Sequence, residues 1–215
     1  MEARRGEPDR YGLLLLLIVA SLILTAGSDT WARIVTVTLQ GAVVLFALHT
    51  AHASARTFRA ALVLVPIAVV LGVVGHAGGS EPAEVMSGVI LTALPLVTII
   101  TIGRRLAIHP EVSVQTVLGF ISIYLLLGIF FAALYGTLDI IGDAPFFAQV
   151  VEATRVDFLY FSLITMTTVG YGDLTAVESL PRMLAATQAL MGQLYLVTVV
   201  AVAVSRVTRK QRGER

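Results

Sequence analysis

Long apolar runs dominate this chain, at 11–27, 31–51, 58–76, 85–103, 114–138 and 183–207. Each approaches or exceeds the roughly 20 residues a helix needs to cross about 30 Å of hydrocarbon. Such runs leave no polar face to meet water, and in lipid a helix satisfies its own backbone. The composition agrees: 57% of the 215 residues are hydrophobic and 13% are charged, where a soluble domain carries about a quarter charged. A soluble enzyme and a disordered chain are both excluded on this ground. The absence of cysteine removes disulfides, thiolate zinc sites and cysteine nucleophiles. A net charge of +1 supplies no basic field for nucleic acid. The expected fold is an all-α membrane protein.

A seventh apolar stretch, 158–168, has about half the spanning length. It reads as a re-entrant segment, buried in protein or lining a water-filled cavity. Six transmembrane helices and one half-span are therefore expected. With the N-terminus inside, only Arg33, Arg155 and Arg182 of the 15 basic residues lie outside, a strong positive-inside bias. Both termini are then cytoplasmic in a multi-pass protein of the cell membrane. Tyr11 and Trp31 fall at span ends, where amphipathic rings settle. Arg4, Arg5 and Arg10 precede the first run as in a signal peptide. That run is at the upper limit of such peptides, and no small-x-small site follows before Trp31, so retention is expected. The connection after Asp139, with Gly142, Asp143 and Pro145, reads as an external turret. Pro66 and Pro95 are expected to kink their spans.

Directly after the half-span stands Thr167-Thr168-Val169-Gly170-Tyr171-Gly172-Asp173, preceded by Ser162-Leu163-Ile164-Thr165-Met166. In this slot, between two spans, the chain resembles the potassium channel superfamily and its six-span, voltage-gated-like branch. The resemblance covers the span, re-entrant helix, filter and span. It implies that the carbonyls of Thr168, Val169, Gly170 and Tyr171, with the Thr168 hydroxyl, replace the hydration shell of K+. It also implies a homotetramer with four-fold symmetry, since one chain carries one filter. K+ in the filter is the only ligand expected, with no organic cofactor. Consecutive carbonyls face one axis only with unusual backbone angles, which Gly170 and Gly172 permit. Val169 and Tyr171 should then pack the filter against its surroundings.

Around the filter, Asp157 suits the start of the re-entrant helix, where a carboxylate caps free amides. Thr167 and Asp173 flank the motif. Tyr160 and Phe161 occupy positions where many relatives carry two tryptophans; the Tyr160 hydroxyl is expected to bond Asp173. Ile164 replaces a glutamate of some bacterial relatives, and Ala176 a common proline. Gly192 matches the family's inner-helix hinge and reads equally as a close-packing position. Val200, Ala201 and Val204 are candidates for a hydrophobic constriction. His49 and His52 are read as sharing a helix face near the cytoplasm, with His109 on the same side, a possible pH sensor or solvated surface.

The expected domains are 1–108, a four-helix voltage-sensor-like unit; 109–207, the pore domain; and 208–215, a basic cytoplasmic tail. Arg206, Arg209, Lys210, Arg212 and Arg215 form a cluster suited to anionic lipid. The fourth span has Glu84 before it and no basic residue until Arg104 and Arg105, so gating is expected to be voltage-independent. Two function classes remain: a passive potassium channel, or a regulatory membrane protein whose N-terminal helices sense lipid, pH or a partner. No nucleophile–base pair or phosphate-binding loop supports an enzyme.

Overall fold

The structure, a computed structural model, describes residues 10–25, 30–108 and 113–213. Its seven helices are α1 (Tyr11–Leu24), α2 (Thr30–Thr50), α3 (Ala55–Gly78), α4 (Glu81–Ile108), α5 (Val114–Ile141), α6 (Arg155–Met166) and α7 (Ser179–Gly213). Each follows one of the apolar runs, and α3, α4, α5 and α7 extend theirs at one or both ends. Ser54 caps α3 by accepting a bond from the Thr57 amide, and Gly79 closes it in the left-handed conformation at φ 64°. Glu81 and Glu84 occupy the first turn of α4, where the helix dipole favours negative charge. Ser113 and Thr116 form a reciprocal capping box at the start of α5.

Among the described residues four segments are long and apolar enough to cross a membrane: Ala55–Gly75, Glu81–Ala107, Val114–Ile141 and Ser179–Val202. The 14 residues of α1 reach about 21 Å, short of the hydrocarbon thickness. The basic tail is not separate from the last helix, whose backbone stays helical to Gly213.

The N-terminal helices and the C-terminal hairpin share a core. Leu14 and Ile18 of α1, Val43 and Ala47 of α2, Ile102 and Leu106 of α4, and Ile123, Leu126 and Ile129 of α5 form one cluster with Leu159 of α6. Thus α1 and α4 pack on α5 of their own chain. Tyr11 lies inside this cluster and is fully buried, so it is a core residue rather than the expected interfacial anchor. The side chain of Trp31 lies outside the described residues.

A second cluster joins α5 and α6 to the segment between them. Phe146 and Phe147 are buried against Tyr135, Phe158 and Phe161, with ring centroids 4.8 to 6.0 Å apart. The expected turret is therefore anchored rather than projecting. Its backbone also pairs with the strand-like segment after the motif: Ala148 donates to the Thr175 carbonyl at 3.0 Å and Val177 to that of Phe146 at 3.0 Å. Gln149 and Thr175 exchange two further bonds of 2.8 and 2.9 Å. Asp139, at the end of α5, accepts the Phe146 amide at 3.0 Å.

Candidate functional site

Helix α6 has 12 residues, about 18 Å, and its two ends are built differently. At the start, Thr154 is the cap and Asp157 the third helical residue. The Asp157 carboxylate accepts the Thr154 amide at 2.8 Å and its hydroxyl at 2.7 Å, and the Thr154 hydroxyl accepts the Asp157 amide at 3.4 Å. Asp157 thus completes a capping box from inside the first turn, rather than standing before the helix.

At the other end the chain leaves the helix through a Schellman turn. The Thr168 amide donates to the Thr165 carbonyl at 3.0 Å and the Val169 amide to that of Ile164 at 2.9 Å. The Gly170 amide reaches the same Ile164 oxygen at 3.2 Å. Such a turn needs a left-handed residue just past the helix, and Thr168 supplies it with φ 60°. A β-branched residue rarely adopts that angle. Gly170 and Gly172 follow at φ 49° and 78°. Left-handed residues therefore alternate at 168, 170 and 172. Sequence reasoning had assigned the unusual angles to the glycines alone; Thr168 joins them because the helix terminus demands it.

The side chains around this turn are placed as follows. Thr167 folds back on the helix, its hydroxyl donating to the Leu163 carbonyl at 2.7 Å. The Tyr160 hydroxyl donates to the Asp173 carboxylate at 2.6 Å. That bond is the main reason the Tyr160 phenol is pushed up to about 12. Phe161 is buried among Tyr135, Phe146 and Phe147, and Tyr160 packs at the edge of the same cluster. Val169 and Tyr171 are 51% and 72% exposed in the single chain. The packing expected of them is not supplied from within one copy.

The last helix touches the turn at two points. Gly192 is buried, and a β-carbon there would stand 2.6 Å from the Met166 carbonyl oxygen. Helix α7 continues through it, so close packing is what this glycine provides here. Next to it, the Gln193 amide donates to the Thr168 hydroxyl at 3.3 Å. The Met166 carbonyl also accepts the Tyr124 hydroxyl at 3.3 Å. Val200 and Ala201 are exposed on α7, and the side chain of Val204 lies outside the described residues.

One buried polar chain was missed by the sequence reading. Gln188 of α7 is fully buried. Its amide nitrogen donates to the Ser162 carbonyl at 3.0 Å and hydroxyl at 2.7 Å, and its oxygen accepts the Tyr135 hydroxyl at 2.7 Å. Ser162 in turn donates to the Gly128 carbonyl at 2.7 Å. The one available signal was an uncharged amide inside an apolar run, where membrane helices use polar residues to hold one another.

The histidine pair is corrected. Helix α2 ends at Thr50 and His52 lies beyond it at φ 49°, so His49 and His52 share no helix face; the Ser54 cap of α3 needs a turn here. His109 lies outside the described residues. No group of three His, Asp or Glu among the described residues could hold a metal ion.

Residues 119–209 match a family model described as ion channel. The match begins inside α5 and ends inside α7, framing the turn at 168–172. It supports an ion-channel family and a channel function and, with the apolar helices, a membrane protein. The chain gives no significant match to a curated protein or to a solved structure.

Proposed function

We propose that four copies of the chain surround one axis and form a potassium-selective channel that conducts passively. The observation that carries this reading is the alternation of left-handed residues at Thr168, Gly170 and Gly172. Backbone of that kind lets successive carbonyls turn toward one side, as replacement of an ion's hydration shell requires. In this reading the carbonyls of Thr168, Val169, Gly170 and Tyr171 and the Thr168 hydroxyl line the path of K+, which is the cargo. The exposure of Val169 and Tyr171 is then met by neighbouring copies. So is the apolar outer face of α7, where Leu180, Met183, Leu190, Leu194 and Val197 are all exposed.

Here α6 is the re-entrant helix, and α1 and α2 complete six spans with both termini cytoplasmic. Asp173 and the 142–154 segment lie at the outer mouth. Gly192 lets α7 approach the filter, and Val200, Ala201 and Val204 form the narrow inner end. The basic residues after Val207 lie where anionic lipid can reach them. Opening is independent of voltage, because α4 carries no basic residue before Arg104. The shared core of α1, α4 and α5 favours a supplementary reading in which the N-terminal helices bias the pore.

Reversal potentials of purified protein in planar bilayers, with K+ on one side and Na+ on the other, test the reading. A strong preference for K+ is expected. Equal permeability, or no current from well-folded protein, overturns it.

A further inference from the structure

We infer that Gln188 is a positioning residue through which the last helix sets the geometry of the 168–172 turn. The inference deepens the channel reading, on which its functional half rests. Three elements meet at this side chain. Its nitrogen holds both polar atoms of Ser162 and its oxygen holds the Tyr135 hydroxyl, all within 3.0 Å. Gln188 and Ser162 are fully buried, as is Tyr135. A buried amide in this position has no water to turn to, so loss of one bond leaves a partner unsatisfied.

The chain of bonds continues to the turn. Ser162 lies two residues before Ile164, whose carbonyl carries the amides of both Val169 and Gly170. A rotation or shift of the last turns of α6 therefore moves the acceptor that sets the first two steps of the turn. The Ser162 bond to Gly128 fixes the same helix against α5, which gives the Gln188 contact a fulcrum. Apolar contact resists separation but tolerates sliding, whereas these bonds have direction. Four residues further on, Gly192 leaves no room for a β-carbon beside the Met166 carbonyl, so α7 approaches α6 closely at two successive turns. A displacement of α7 reaches the filter through Gln188 without any change at the inner end of the helix.

The test uses the full chain in lipid nanodiscs, with Gln188→Leu as the main variant and Tyr135→Phe as the milder one. Tyr135→Phe removes a single bond and keeps the ring packing, so it reports even if Gln188→Leu does not fold. Hydrogen exchange read on peptides covering 163–173 is expected to rise by at least about tenfold in Gln188→Leu, which removes all three bonds of that side chain, a single buried bond being worth up to about tenfold. It should rise by a smaller factor in Tyr135→Phe, with the centre of α5 unchanged in both. On the same samples, the K+/Na+ permeability ratio should fall several-fold, on the order of the exchange change. A variant that merely lowered the number of folded channels would reduce current and leave that ratio alone. Unchanged exchange at 163–173 in folded Gln188→Leu, or in Tyr135→Phe should the first not fold, overturns the inference. If wild-type protein is unselective while exchange still rises, the channel reading fails and the positioning role stands.

Discussion

Helices α1 to α4 and the α5–α7 hairpin use their polar side chains in opposite ways. In the first region hydroxyls mostly bond back to their own helix: Ser21 to Ile18, Thr25 to Ser21, Thr92 to Gly88, Thr98 to Leu94 and Thr101 to Val97. Such bonds hide a polar group but hold no neighbour. In the second region the reach is between elements. Ser162 bonds α5, Gln188 bonds α6, Tyr135 bonds α7, Tyr195 donates to the Phe120 carbonyl at 2.6 Å, and Gln193 meets Thr168. The contrast is one of degree: Ser87 of α4 bonds the Ala68 carbonyl of α3, Thr36 bonds the Leu24 carbonyl and Thr92 also meets Thr137 of α5, while Ser122, Thr137 and Thr187 bond back to their own helices. Yet it shows where position matters. Packing with only a few such bonds holds the N-terminal helices, whereas directional bonds concentrate on the elements around the 168–172 turn.

The largest effects should come from glycines of the turn. Gly170→Ala places a β-carbon on a residue at φ 49°, and selective conduction measured in bilayers should be abolished. There is space around that position, so the backbone angle alone makes the prediction. Gly192→Ala should be nearly as severe, because its β-carbon meets the Met166 carbonyl oxygen, a backbone atom that cannot swing away. The matching change in the first region, Gly72→Ala, meets the tip of the Ser87 side chain. Current through Gly72→Ala should therefore keep its K+/Na+ ratio. If Gly72→Ala lowers selectivity as much as Gly192→Ala, the two regions are not distinct.

Next in size are core substitutions in the N-terminal helices. Leu48 is fully buried against Val44, Ala61 and Leu94. Leu48→Ala should lower stability by roughly 2–5 kcal/mol, and Leu48→Met by less than about 1.5 kcal/mol. Thermal unfolding in detergent measures both, and the permeability ratio should move in neither. Near-isosteric loss of polarity at Gln188 or Tyr135 is expected to move the ratio as well as the stability. A selectivity change in Leu48→Met would show that packing in the first region also sets the pore.

These two regions were not equally legible in the sequence. The 168–172 motif is contiguous and its glycines announce their backbone, so the site could be located from residues alone. The apolar runs placed every helix to within a few residues, because span length is a property of local sequence. Pairings across the fold were not local. Tyr135 and Gln188 lie 53 residues apart, and no period in either helix links them. Phe146 and Phe147 stand in a stretch with turn residues and no repeat, which reads as loop; only packing against Tyr135 of α5 and Phe158 and Phe161 of α6 makes them core. Thr168 is left-handed because α6 ends there, and its side-chain preference argues the other way. The Tyr160–Asp173 pair was legible only through the resemblance, since Tyr160 stands where relatives carry a tryptophan and its hydroxyl can take over as donor.

A small effect is expected for voltage. Moving one charge through the field is worth about 2.3 kcal/mol per 100 mV, and α4 carries no basic residue before its last turns and no charge between Glu84 and Arg104. Conductance–voltage curves should stay shallow, and Arg104→Gln or Arg105→Gln should leave them so. A steep curve abolished by either change would mean that the N-terminal helices act through charge rather than shape.

The smallest expected effect belongs to the bond at the exposed edge of the turn. Tyr160 donates to Asp173 at 2.6 Å, and because the acceptor is an anion the phenol is held at about 12 against an ordinary value near 10. The sign follows from linkage: a group whose proton is bound more tightly in the folded state stabilises it below the unfolded value. That contribution is complete below about pH 10 and is lost as pH rises through about 12. Ultraviolet titration of the phenols should show one high-pKa group dropping toward the ordinary range in Asp173→Asn while the other phenols stay put. In bilayers Tyr160→Phe should keep its preference for K+ but conduct in shorter bursts, since the carboxylate then has no phenol to hold it beside Gly172. This pair lies in the open, where water competes, so the change should be far weaker than in Gln188→Leu. If Tyr160→Phe lowers the permeability ratio as much as Gln188→Leu does, the buried bonds are not what set the turn, and the exposed edge must be counted with them.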